Sequence, residues 1–252
     1  MMSSPDVCSE TKHLRDGLIM IGVIGGMGPL ATADFVQKVI SATSAEHDEQ
    51  HVPMLISNDP RIPRRPAAIL QGAQSPLPRL MEIRDNLIHA GATALVMPCN
   101  TAHYWHADLM QGCRLPFPSI IELTCDQVTT KAADGGLVGL VATEATLATG
   151  LFQTALERRG LSSLVPTDQI VREFMLPSIA YVKSGQLAKA APLMQATVHH
   201  LLENNAKTVI LACTEAPIAM SGVPDFMDKH CVDSTDALAR ATVDLWGQIK
   251  QL

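Results

Sequence analysis

The chain has 252 residues, of which 47% are hydrophobic and 17% charged, enough apolar material for a well-buried core and too much for a disordered protein. Its net charge of −6 comes without a basic tract, which argues against a nucleic-acid partner. The longest apolar run near the N-terminus, residues 18–24, is too short to span a bilayer, and residues 1–17 lack the apolar core of a secretory signal, so they read as the flexible tail of a cytoplasmic protein.

Residues 18–24 predict a buried strand: continuous, β-rich and without alternation, as in parallel sheets covered on both faces. Gly25-Gly26-Met27-Gly28 then turns the chain, and Pro29 suits the first turn of a helix over 30–44 with Phe35, Val36, Val39 and Ile40 as its apolar positions. The turn fits G-x-G-x-x-A, yet Pro29 removes a donor and no acidic residue closes the next strand, 52–57. A nest of backbone N–H groups for a small carboxylate is the better reading. Residues 58–66, N-D-P-R-I-P-R-R-P, predict a proline-pinned loop with three arginines. A helix over 77–89 closes at Gly91, a strand over 92–97 follows, and Cys99 precedes a helix over about 101–110. Residues 115–118 cross to a second unit.

That second unit repeats the first. Residues 136–149, G-L-V-G-L-V-A-T-E-A-T-L-A-T, lie over 19–32, I-M-I-G-V-I-G-G-M-G-P-L-A-T, with Gly139 over Gly22 at an offset of 117. Residues 206–217, A-K-T-V-I-L-A-C-T-E-A-P, lie over 92–103, A-T-A-L-V-M-P-C-N-T-A-H, with Cys213 over Cys99 at an offset of 114. Two matches at nearly one offset identify an internal duplication. The expected fold is α/β: two units related by a pseudo-twofold axis, with mainly parallel sheets and the active site in the cleft between them. The first unit takes 18–115 with 225–252 and the second 116–224. Ser234-Thr235-Asp236 is expected to cap a final helix over 237–249 that packs back on the first unit.

Ligands of parallel sheets sit beyond the carboxyl ends of the strands, where residues 25–28, Cys99, Thr143 and Cys213 all fall. Six cysteines occur, at 8, 99, 113, 125, 213 and 231; with no C-x-x-C and no histidine at ligand spacing, no metal site is expected. A cysteine at a helix N-terminus is expected to have its pKa lowered, which suits a nucleophile or a base. His103 and His106 follow Cys99 closely enough to keep a Cys–His hydrolase open, although that reading leaves Cys213 unused. Two symmetry-related cysteines suit another task, taking a proton from one face of a carbon and returning one to the other. One thiol and one thiolate are then needed at a time, which gives a bell-shaped pH profile. Asn100, Thr101 and Thr214 are placed to donate to the developing carbanion.

The motifs G-G-M-G-P-L-A-T, N-D-P-R-I-P-x-R, M-P-C-N-T-A-H, I-E-x-T near Ile121, L-V-A-T and A-C-T-E-A-P, in this order across about residues 19–245, resemble the aspartate/glutamate racemase family. They look closest to its aspartate racemase branch. Glutamate racemases carry D-S-G near the N-terminus and T-H after the second cysteine, where this chain has Gly25-Gly26-Met27 and Thr214-Glu215. The resemblance implies a PLP-independent enzyme interconverting L- and D-aspartate, with glutamate as a further candidate. It implies Cys99 and Cys213 as the acid/base pair, no cofactor, a small amino acid as the partner, and a homodimer. It also implies substrate contacts at Met27, Asn100, Thr101 and Thr214, with Thr143 beside them, and carboxylate-binding cations at Arg65 and Lys183. The chain departs from the pattern at Arg64, where the family commonly has aspartate, and at Ile179, where it often has tyrosine and this chain has Tyr181 two places along. The alternatives are another superfamily reaction on a small dicarboxylate, such as maleate isomerisation or malonate decarboxylation, and a non-catalytic carboxylate-binding module.

Overall fold

The computed structural model describes residues 19–131 and 136–250. The tail expected over 1–17 lies outside the described residues. Among these residues two sheets form, and every pairing is parallel. Strands β1 (Ile21–Gly25), β2 (Met54–Asn58) and β3 (Ala94–Val96) stand in the order β2-β1-β3. Strands β4 (Gly136–Val141), β5 (Leu161–Leu164), β6 (Thr208–Leu211) and β7 (Cys231–Asp233) stand in the order β5-β4-β6-β7. The first strand of each unit thus lies between its second and third, so the duplication read in the sequence is also one of topology. β1 and β6 are buried along their whole length, which is why both read as unbroken apolar runs.

Helices alternate with the strands: α1 (Pro29–Ala42), α2 (Arg65–Gln71), α3 (Leu77–His89) and α4 (His106–Met110), then α5 (Ile120–Lys131) at the crossing. The second unit carries α6 (Glu144–Ala148), α7 (Leu151–Glu157), α8 (Leu176–Lys183), α9 (Leu187–Glu203), α10 (Glu215–Ala219), α11 (Pro224–His230) and α12 (Ser234–Ile249). One apolar cluster joins Val23 and Phe35 of the first unit to Ile120 and Val128 on α5 and to Leu140 and Ile210 of the second, so the two units share a core. No helix among the described residues is long and apolar enough to cross a membrane.

The register repeats the duplication residue by residue. Gly22 pairs with Leu95, and Gly139 with Val209. A Cβ at Gly22 would come within 2.8 Å of Leu95, 2.9 Å of Ala92 and 3.3 Å of Leu87; one at Gly139 would come within 2.9 Å of Val209 and 3.1 Å of Leu201. Leu87 on α3 and Leu201 on α9 each precede the third strand of their unit, so both glycines leave room for a helix to seat on its sheet. Gly139→Ala is therefore expected to cost about 1–3 kcal/mol by overpacking. The loss would be read as a lower urea midpoint at an unchanged slope.

Beyond shifts of up to three residues at element ends, four features differ from the sequence reading. The helix expected over 101–110 begins as a 3₁₀ turn, Thr101–Trp105, before α4. The loop expected to run through Pro66 ends at Arg64, because Pro66 sits at the start of α2, where its missing N–H costs nothing. The cap of α12 is Asp233, whose Oδ1 accepts the Thr235 N–H at 2.8 Å, while Ser234 spends its hydroxyl on Leu211 O at 2.9 Å. Residues 225–252 do not all stay with the first unit. β7 is the outer strand of the second sheet, and only α12 returns to pack on α1 and α5. A three-residue strand is too short for periodicity to reveal. Asp233 also ties the two together, pairing with Lys38 on α1 at 2.7 Å.

Candidate active site

A pocket of about 250 Å³ lies beyond the carboxyl ends of β1, β3, β4 and β6 and takes its lining from both units. Ligand pockets usually run to roughly 300–1,000 Å³, so this one suits a small molecule. Every residue expected to act on or bind the substrate lines it. Met27, Arg65, Cys99, Asn100 and Thr101 come from the first unit, and Thr143, Lys183, Cys213 and Thr214 from the second. Arg64 and Glu215 line it too.

The glycine turn builds one wall. Gly26 has φ +95°, and a Cβ there would lie 2.3–2.4 Å from the backbone of Asp59, which crosses directly over it. The Gly26 N–H donates to Thr32 Oγ1 at 2.9 Å, so this amide of the expected carboxylate nest is already occupied. Asp59 accepts from the Arg61 backbone N–H (3.0 Å), from the Arg61 guanidinium (2.8 Å) and from Arg79. Hydrogen bonds from Arg61, then Arg79, hold its carboxyl well below the usual carboxylate range. This clamp fixes the loop that delivers Arg64 and Arg65. Arg65 donates through Nη1 to Ile62 O (3.1 Å) and Pro63 O (3.0 Å), while its buried Nε has no hydrogen-bond partner among the described residues.

Each cysteine follows a strand at once. Past β3, Pro98 ends the ladder and the Cys99 N–H closes back on Met97 O at 2.8 Å. Past β6, the Ala212 N–H still bonds Val141 O at 2.9 Å, and Cys213 opens the turn into α10. Both side chains are 5% exposed. The helix-start position was expected to lower the thiol pKa values, but burial reverses the sign. Desolvation pushes Cys99 up against the opposing influence of Arg65, and pushes Cys213 well up with the Glu215 charge adding to it.

The polar lining crosses between units. Thr101 Oγ1 lies 2.7 Å from Thr146 Oγ1, which lies 3.0 Å from Thr143 Oγ1. Asn100, expected as a donor to the substrate, gives one N–H of its amide to Ser234 Oγ at 2.9 Å and keeps the other. Ser234 already gives its only proton to Leu211 O, so it must accept, which fixes the orientation of the amide. Asn100 Oδ1 is left buried and without a hydrogen-bond partner among the described residues, a free acceptor facing the pocket's polar lining. Ile179 packs in the second unit's core, and Tyr181 packs against that core beneath Lys189; neither lines the pocket.

His103 is not the base of a Cys–His pair. The Ile120 N–H donates to its Nε2 at 3.1 Å, so Nδ1 carries the proton and donates to the carbonyl oxygen of Cys99 at 2.9 Å. The ring is 3% exposed, and burial, then the neighbouring His106, lowers its pKa to about 3. The unfolded chain takes up this proton near pH 6.5 and the folded chain does not. Its contribution to stability is therefore whole above pH 6.5 and is lost as the pH falls towards 3. From this ring alone, stability at pH 4.5 is expected to fall by about 2–3 kcal/mol. Urea midpoints against pH for the wild type and His103→Asn test this, the variant showing the shallower acid limb.

A duplicated parallel α/β fold closing on a small cationic cleft, with a cysteine from each half, defines an isomerase of the amino-acid racemase class. The chain belongs to the Asp/Glu/hydantoin racemase family, whose sequence model matches residues 24–242. Picrophilus torridus aspartate racemase has a similar structure, with a TM-score of 0.80 and 30% identity, covering 91% of this chain and 95% of that one. The broad specificity amino-acid racemase RacX of Bacillus subtilis is 26% identical over 245 residues, covering 90% of this chain and 98% of that protein. A glutamate racemase of Ectopseudomonas mendocina is 28% identical over 176 residues, covering 68% of this chain and 64% of that protein.

One lining residue was named in the sequence only as a departure from glutamate racemases. Glu215 meets Cys213, Thr214 and Lys183. Its position right after the second cysteine was visible, but its partnership with Lys183 on α8 was not.

Proposed function

We propose that the protein interconverts L- and D-aspartate, with glutamate as its second substrate, by proton transfer between the α-carbon and the thiols of Cys99 and Cys213. The observation that carries this is a cysteine from each unit in one pocket whose other charged lining is Arg64, Arg65, Lys183 and Glu215. Cations outnumber the single acid, which suits an amino acid with a second carboxylate. The Arg65 fork would grip that carboxylate, with Lys183 adding a point charge. Asn100 Oδ1 would accept from the α-ammonium, and the hydroxyls of Thr101, Thr143 and Thr214 would stabilise the α-carboxylate as it takes up enediolate charge. Burial serves the same end, since a desolvated thiolate with a raised pKa is a stronger base towards a weakly acidic C–H.

A wider substrate range is the second reading. It is favoured by the place of Tyr181 outside the pocket, which leaves the side-chain end without that hydroxyl. Incubation with single enantiomers of aspartate, glutamate and alanine, followed by chiral chromatography, separates the two. Aspartate should be inverted fastest and alanine at least about 100-fold more slowly, the order expected when charged groups are left unpaired by the wrong substrate. Equal rates would replace the acidic-substrate reading with the broad one.

A further inference from the structure

The groups around the two cysteines are not alike. Cys213 Sγ lies 3.2 Å from Glu215 Oε2, placed to donate its S–H, and Thr214 Oγ1 donates to the same oxygen at 3.3 Å. The other carboxylate oxygen of Glu215 lies 3.6 Å from Lys183 Nζ at the end of α8. Cys99 instead faces the guanidinium of Arg65 on α2, with the Glu215 charge acting on it less strongly. Arg64 completes the charged lining. One thiol therefore sits against an anion and the other against a cation. Glu215 is itself held, its side chain 14% exposed and bonded on both oxygens.

We propose that Glu215 is a positioning residue that keeps Cys213 as the protonated partner, leaving Cys99 as the resting base. The inference deepens the two-thiol reading above and rests on it. From this state Cys99 takes the α-proton, breaking C–H and forming S–H. Cys213 gives its proton to the opposite face, breaking S–H and forming C–H. The enzyme is left with a Cys99 thiol and a Cys213 thiolate. The Glu215 charge opposes that second state, so Cys213 regains a proton from water and Cys99 releases one to water. The enantiomer whose α-proton points at Cys99 is the one the resting enzyme accepts.

The test is the rate of iodoacetamide labelling of the unliganded protein against pH, with the Cys99 and Cys213 peptides followed separately by mass spectrometry. In the wild type Cys99 should label at lower pH than Cys213. Glu215→Gln keeps an acceptor but removes the charge, and should bring the Cys213 midpoint down by about one pH unit or more, a tenfold faster labelling below the midpoint. The Cys99 midpoint should move less. Lys183→Met should act in the opposite sense and raise the Cys213 midpoint, so the proposal is tested even where Glu215→Gln does not fold. A Cys213 midpoint unmoved in both variants, or Cys213 labelling before Cys99 in the wild type, overturns it. The measurement uses no amino acid, so a protein that racemises nothing could still show this titration, and the two failures are told apart.

Discussion

Cys99→Ser and Cys213→Ser are each expected to slow the inversion of aspartate by about 10²–10⁴-fold, the usual worth of a placed acid or base. Serine keeps the size of the side chain, but its hydroxyl is far too weak an acid to supply an anion at neutral pH. Both side chains are buried in the pocket at the ends of β3 and β6. The two thiols act as a unit, so the double variant should be little worse than either single one. Chiral chromatography of the product gives the rates, and circular dichroism checks that the variants fold. A single variant that keeps full inversion would mean that its cysteine is only one of the small apolar residues of the core.

Gly26→Ala should be the most damaging single change to the fold. The residue has φ +95°, which costs an L-residue of about 1–2 kcal/mol, and its Cβ would overlap the Asp59 backbone. Backbone cannot swing aside as a side-chain end can, and Asp59 is clamped by Arg61 and Arg79. Adding roughly 1–3 kcal/mol for overpacking, the loss should be about 3 kcal/mol or more. For a chain of this size that lowers the thermal midpoint by about 6–12 °C. Activity should fall further than stability, because the displaced loop carries Arg64 and Arg65. Gly28→Ala is the control: its φ is −93° and a Cβ there would meet nothing within 4 Å, so the melting curve should hardly move.

The sequence carried those parts of the fold that are written locally or repeated. Unbroken apolar strands, the glycine turn, and the two cysteine segments 114 positions apart were enough to place the pocket at the strand ends. Cys99, Cys213, Thr143 and the residues beside the two cysteines were legible because they stand at strand ends, whereas Arg65 and Lys183 were reached through the family resemblance. What was hidden depends on partners far along the chain. The orientation of Asn100 is fixed by Ser234, 134 residues away. The start of α2 at Arg65 was masked by the prolines around it, and β7 by its length. The direction of the thiol shifts was misjudged because a helix start is visible in sequence and burial is not.

The central claim is that two thiols on opposite faces share the proton transfer, and the fate of the α-proton tests it most directly. Racemisation of L-aspartate in D₂O, stopped at low conversion, should give D-aspartate fully deuterated at Cα beside L-aspartate that is still protiated, because the product receives its hydrogen from the solvent-exchanged thiol of the second cysteine. D-aspartate that retains the substrate's own proton would contradict two-thiol transfer and require a single group that serves both faces.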